Sequence, residues 1–112
     1  MPTAFDPITG QDVDTWSEEW RHCCECRWLL VNKPTRSLKH LWLYGVDDRA
    51  KLFRWNAKSG KKELRDDLKE LWGKDDRGRP IKPIMAWRGL DAADRMLADA
   101  KKIYDHQQAK AA

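Results

Sequence analysis

The chain has no run of eighteen or more apolar residues, so nothing in it reads as a membrane-spanning helix. Its amino terminus, Met1-Pro2-Thr3-Ala4-Phe5-Asp6, lacks the basic start and apolar stretch of a secretory signal. Cysteine is scarce, and Cys23, Cys24 and Cys26 are crowded into one stretch, which excludes the disulfide framework of a small secreted domain. These absences predict a cytoplasmic protein with free thiols. The motifs of common catalysis are missing as well. There is no Gly-x-Ser-x-Gly elbow, and Gly73-Lys74 and Gly78 lack the strand-to-helix context and spacing of a phosphate cradle. No cofactor, no catalytic residue and no membrane partner are expected.

The 112 residues suffice for one domain that hides roughly two-thirds of its unfolded surface. Seven of them are tryptophan: Trp16, Trp20, Trp28, Trp42, Trp55, Trp72 and Trp87. Each can bury roughly 150 to 250 Å². So small a domain can hardly enclose all seven, and exposed tryptophan is typical of binding surfaces. Trp42, Trp55, Trp72 and Trp87 are the candidate anchors for a protein partner. The net charge of +4 is unevenly spread. Residues 1–32 sum to −4, residues 33–90 to +8, and residues 91–112 balance. A basic middle beside an acidic start suggests an anionic partner or self-complementary packing.

Periodicity predicts an all-α domain of four or five helices. A turn-rich arm over 1–14 leads to a single helical domain over 15–106, with a frayed tail over 107–112. Thr15 and Glu18 have capping-box spacing for a helix over 15–32. In that helix Trp20, Cys24, Trp28 and Val31 form one apolar stripe, flanked by Trp16, Cys23 and Leu30. Asn32 and Pro34 stop it. Thr35 caps a second helix that Gly45 and Asp47 can break. A rival reading of residues 40–56 is a short hairpin, with Leu41–Tyr44 and Lys51–Trp55 as strands. Leu64, Leu68, Leu71 and Trp72 mark a further helix that Gly73 ends, and residues 74–83 read as a loop. Asp91 caps the last helix, residues 92–108.

The segments Phe5-Asp6-Pro7-Ile8-Thr9-Gly10 and Trp20-Arg21-His22-Cys23-Cys24-Glu25-Cys26-Arg27, followed by Leu43-Tyr44-Gly45-Val46, resemble small uncharacterised proteins encoded by bacteriophages and prophages. These share a Asp-Pro-x-Thr-Gly arm and a Trp-Arg-His-x-Cys-Glu-x-Arg helix. The likeness covers about the first half of the chain and carries no assigned activity. It implies a phage accessory protein acting inside a bacterial host cell.

Two sets of residues invite a chemical reading. On a helix, His22 and Cys26 lie four apart and Cys23 and Cys26 three apart, so either pair could supply two ligands to zinc. A structural zinc needs four, and His40 and His106 stand alone, so within one chain the set is incomplete and the cysteines read as core fillers. A homodimer could complete it. The second set is cationic. Lys74, Arg77, Arg79, Lys82 and Arg88 gather around one loop, with Lys58, Lys61 and Lys62 just before it, beside tryptophans able to stack on bases. The expected function is non-catalytic binding of a bacterial host protein complex, to inhibit or modulate it in an anti-CRISPR-like or other anti-defence role. The alternative is direct binding of DNA or RNA through the basic middle segment.

Overall fold

A computed structural model describes residues 2–111. The element order is β1 (Thr3–Asp6), β2 (Gln11–Asp14), α1 (Glu18–Asn32), α2 (Arg36–Tyr44), a 3-10 turn (Arg49–Leu52), β3 (Phe53–Asn56), β4 (Lys61–Leu64), α3 (Leu68–Trp72), α4 (Ile84–Arg88) and α5 (Leu90–Ala111). About 54% of the chain is helical and 17% is strand. The strands form two separate antiparallel hairpins, β1–β2 and β3–β4. The fold is therefore mixed and helix-rich, and the all-α expectation fails.

It fails for a local reason. The first arm folds back because Asp6 closes its own turn: its carboxylate accepts the Ile8 N–H at 2.9 Å and its carbonyl accepts the Gly10 N–H at 2.8 Å. Gly10 supplies the positive φ of 74° that the return needs. Asn56 and Gly60 repeat the device, with Lys58 N–H on the Asn56 side chain at 2.9 Å and Gly60 N–H on its carbonyl at 2.9 Å. The hairpin expected within residues 40–56 is thus displaced. Leu41–Tyr44 belongs to α2, and the strand at Phe53 pairs forward with Lys61–Leu64. Leu64, read as helical, lies in β4, so α3 is only five residues long.

The chain divides into two compact units. One consists of the residues up to Pro34 together with those from Asp94 onward, and the other is Thr35–Ala93. By sequence the first carries seven basic and nine acidic side chains, a net of −2, and the second fifteen and nine, a net of +6.

In the first unit, α1 is capped by Ser17, whose hydroxyl accepts the Trp20 N–H at 3.2 Å. Thr15 does not cap it: both its N–H and its hydroxyl reach the Pro2 carbonyl, extending the first hairpin. Cys23, Cys26 and Leu29 are the buried residues of α1, and Met96, Asp99, Ala100 and Ile103 those of α5 in this unit. In the second unit Thr35 caps α2, accepting the Leu38 N–H at 3.2 Å, and Gly45 closes it in the left-handed conformation. The Trp72 indole N–H donates to the Tyr44 carbonyl at 2.7 Å, and its ring fills the space above Gly45. His40, Leu43, Tyr44, Val46, Leu52 and Met85 are buried here, with α2 packed on α4. Asp91 lies inside the first turn of α5 rather than before it. Among the described residues no helix is long and apolar enough to cross a membrane.

Candidate interaction surface

Three of the cations singled out in the sequence come together with one of the tryptophans on β3–β4. Trp55 is opposite Lys62, Asn56 opposite Lys61, and Phe53 opposite Leu64. Because side chains alternate across a strand, Phe53, Trp55, Lys62 and Leu64 share one face. On it Trp55 is 64% exposed, and Leu64 and Lys62 are exposed beside it. Phe53 is half-buried beneath the Arg49 guanidinium, 5.0 Å from its ring.

On the other face, which also carries Lys61, Arg54 and Glu63 are paired internally. Arg54 donates to Asp66 at 2.8 Å and Asn56 to Glu63 at 2.7 Å, a bond that holds the Glu63 carboxyl below its ordinary range. Lys58 at the loop tip, Lys61 and Lys62 are exposed and have no ion-pair partner among the described residues. A shallow hollow of about 500 Å³ beside the ribbon is bounded by Arg54, Trp55, Lys58, Leu64 and Asp66. The hairpin therefore offers one large apolar ring in a field of uncompensated positive charge.

The remaining cations lie on a separate stretch, residues 74–88. Its loop is ordered by Asp75, whose carboxylate accepts the N–H groups of Arg77 and Arg79, both at 2.9 Å. The Arg79 guanidinium lies 3.6 Å from the same carboxylate. Lys74, Arg77, Arg79, Lys82 and Arg88 are all exposed. Lys82 sits 5.1 Å from the centre of the Trp87 ring, and the Trp87 indole N–H donates to the Lys82 carbonyl at 3.1 Å. Trp87 is 69% exposed, with a cation already on its face.

The four anchor tryptophans thus part company. Trp55 and Trp87 are presented to solvent, Trp42 is half-buried on α2, and Trp72 is held against Gly45 as structure. The reading from sequence missed Trp16, 84% exposed on the turn into α1, where its N–H binds Asp14 at 2.9 Å. The signal available was its position just before the cap of the first helix, where a side chain has no helix face to join.

The His22, Cys23 and Cys26 group lies in the first unit. His22 Nε2 is 2.6 Å from Asp99 Oδ2 and 3.7 Å from Cys26 Sγ. Asp99 is buried and further approached by Arg95 at 3.6 Å and Lys102 at 3.5 Å. Cys23 faces Asp6. Burial raises the Cys23 thiol to about 11 and the Cys26 thiol to about 12, with Asp99 adding to the second. A nucleophilic cysteine needs the opposite environment, exposed and with its thiolate stabilised. A relay would also need the base to meet thiol and carboxylate through different ring nitrogens, whereas here both lie on Nε2. Among the described residues no three His, Cys, Asp or Glu side chains are arranged to hold a metal ion. The cysteine that is accessible, Cys24, lies outside this cluster.

Residues 13–109 match the model of a family of unknown function, DUF7696, and the chain belongs to that family. No curated protein and no solved structure matches it significantly.

Proposed function

We propose that this member of the DUF7696 family is a non-catalytic binding protein, a phage-type accessory factor that inhibits or modulates a bacterial host complex in an anti-defence role. The observation that carries the reading is Trp55, a ring 64% exposed on a hairpin whose lysines lack acidic partners. Large aromatic side chains anchor protein interfaces, and a rim of one sign selects a partner surface of the other. The docking surface on the host complex is accordingly acidic. Trp87 with Lys82 supplies a second anchor of the same kind. The buried, high-pKa thiols support a role without nucleophilic chemistry. The phage setting and the bacterial cytoplasm rest on the resemblance of the first half of the chain.

The test is affinity capture of the tagged protein from bacterial lysate with and without nuclease, followed by the Trp55→Ala variant. A discrete host complex retained after nuclease and lost with Trp55→Ala supports the reading. Capture that ignores Trp55 overturns it.

The three uncompensated lysines favour one second reading, direct binding of single-stranded nucleic acid, with phosphates on Lys58, Lys61 and Lys62 and a base stacked on Trp55. Such binding weakens steeply as salt is raised. Material lost on nuclease treatment selects this alternative.

A further inference from the structure

The apolar stripe of α1 does not face the core. Cys23, Cys26 and Leu29 are the buried positions, whereas Cys24 is exposed, Trp28 is 44% and Val31 77% exposed, and Trp20 is half-buried beneath Arg27, 5.1 Å from its ring. At 100° per residue, Trp20, Cys24, Trp28 and Val31 fall within a sector of about 80°. Trp16, on the turn before the helix, is 84% exposed. A helix of a soluble domain normally turns such a stripe inward. Here Cys24, Trp28 and Val31 are presented to solvent, with Trp20 half-buried at the start of the stripe.

We propose that this face is a homodimer interface, in which α1 of one copy crosses α1 of a second copy at Cys24. Three features select a second copy as the occupant. The aromatic positions are symmetric about Cys24, with Trp20 four residues before it and Trp28 four after. A two-fold axis at Cys24 therefore lays each copy's Trp20 beside the other's Trp28, the self-complementary arrangement of an isologous contact. The ridge of residues four apart is also the one that packs into its own equivalent when helices cross.

The flank of the stripe is of mixed sign. Arg21 lies 3.8 Å from Glu25 and 3.9 Å from Glu18, loose pairs on a mostly exposed guanidinium. With the two-fold axis at Cys24, Arg21 of one copy comes level with Arg27 of the other on the opposite flank, while the other's Glu25 lies on the same flank as Arg21, about 3 Å away along the helix. Finally, the stripe offers on the order of 400 Å² of aromatic and aliphatic surface. A standard interface takes about 800 Å² from each partner, with polar rim making up the remainder.

The test is sedimentation equilibrium of the full chain, combined with thiol cross-linking by a short bismaleimide. The expected particle has twice the 13.2 kDa of one chain. It cross-links through Cys24, the exposed thiol, and Cys24→Ser removes the cross-link while leaving the mass unchanged. Val31→Glu and Trp16→Ala each replace a side chain that the single copy leaves in solvent, so both variants fold. Val31→Glu raises the dimer dissociation constant by at least about tenfold. A chain that sediments as a monomer overturns the proposal, and so does a dimer that neither cross-links through Cys24 nor responds to Val31→Glu. Host capture by the Trp55 surface is read separately, and either result can fail without the other.

Discussion

The two hairpins have the same loop and opposite surroundings. Asp6-Pro7-Ile8-Thr9-Gly10 and Asn56-Ala57-Lys58-Ser59-Gly60 each place an Asp or Asn first, a hydroxyl fourth and a glycine fifth, and each joins two four-residue strands in the same register. In the first, the turn-closing Asp6 is buried against Cys23. Its strands carry acidic side chains. In the second, the turn-closing Asn56 is half-exposed, and the strands carry lysine, arginine and an open tryptophan. The loop chemistry makes a hairpin in both places. What packs beneath it decides that one is scaffold and the other a presented surface.

The largest effect that tests this contrast is on binding. Trp55→Ala combined with Lys58, Lys61 and Lys62 changed to Glu lowers partner affinity by roughly 2–4 kcal/mol and leaves the melting temperature nearly unchanged. Phe5→Ala, in the other hairpin, changes affinity little. Calorimetric titration of the captured partner checks both, and equal losses from the two hairpins break the comparison.

A stability effect of comparable size belongs to Gly45, which sets a limit for glycine replacement. A Cβ there would lie 2.3 Å from Trp72 Cδ1, at a φ of 73°, so Gly45→Ala costs about 2–4 kcal/mol from strain and overpacking together. Gly10→Ala and Gly60→Ala meet nothing within 4 Å and cost only the left-handed backbone term, about 1–2 kcal/mol. Chemical denaturation of the three variants ranks them.

Next come the turn-closing residues themselves. Asp6→Ala leaves buried partners unsatisfied and costs about 1–3 kcal/mol, whereas Asn56→Ala, at the wetter loop, costs about 0.5–1.5 kcal/mol. Equal losses in urea melts would remove the distinction between scaffold and surface.

The smallest expected effect is a pH dependence confined to the second unit. Burial, aided by Arg36, pushes the His40 imidazole below its ordinary value, and its Nδ1 accepts the Arg49 N–H at 2.9 Å. The unfolded chain therefore binds a proton that the folded unit resists. This contribution to stability is complete above about pH 6.5 and is lost as the pH falls through that value toward the depressed folded one. The unfolding midpoint measured at pH 7.5 and pH 5.5 falls accordingly, and His40→Gln flattens that response.

Local signals were legible wherever one residue type satisfies a backbone group by itself. Thr35 capping α2, Gly45 and Gly73 closing helices, and the amphipathic final helix are of this kind. The strands were not legible, because Thr3-Ala4-Phe5-Asp6 and Lys61-Lys62-Glu63-Leu64 are too short to show an apolar alternation and owe their pairing to the turns. The lysines of the candidate surface could be named from sequence. That Trp55 joins them while Trp72 is used to cover Gly45 could not, since both are tryptophans beside basic residues.

By itself the sequence determined some of the helix ends, at Thr35, Gly45 and Gly73, and the sign of charge along the chain, because caps, glycines and charges act over a few residues. Only the tertiary structure decided which face of α1 is buried. Helical spacing of the large apolar side chains picks out the stripe of Trp20, Cys24, Trp28 and Val31, yet Cys23, Cys26 and Leu29 are the residues enclosed. Burial is settled by shape against neighbouring elements, and a close-packed interior takes the side chains that fit.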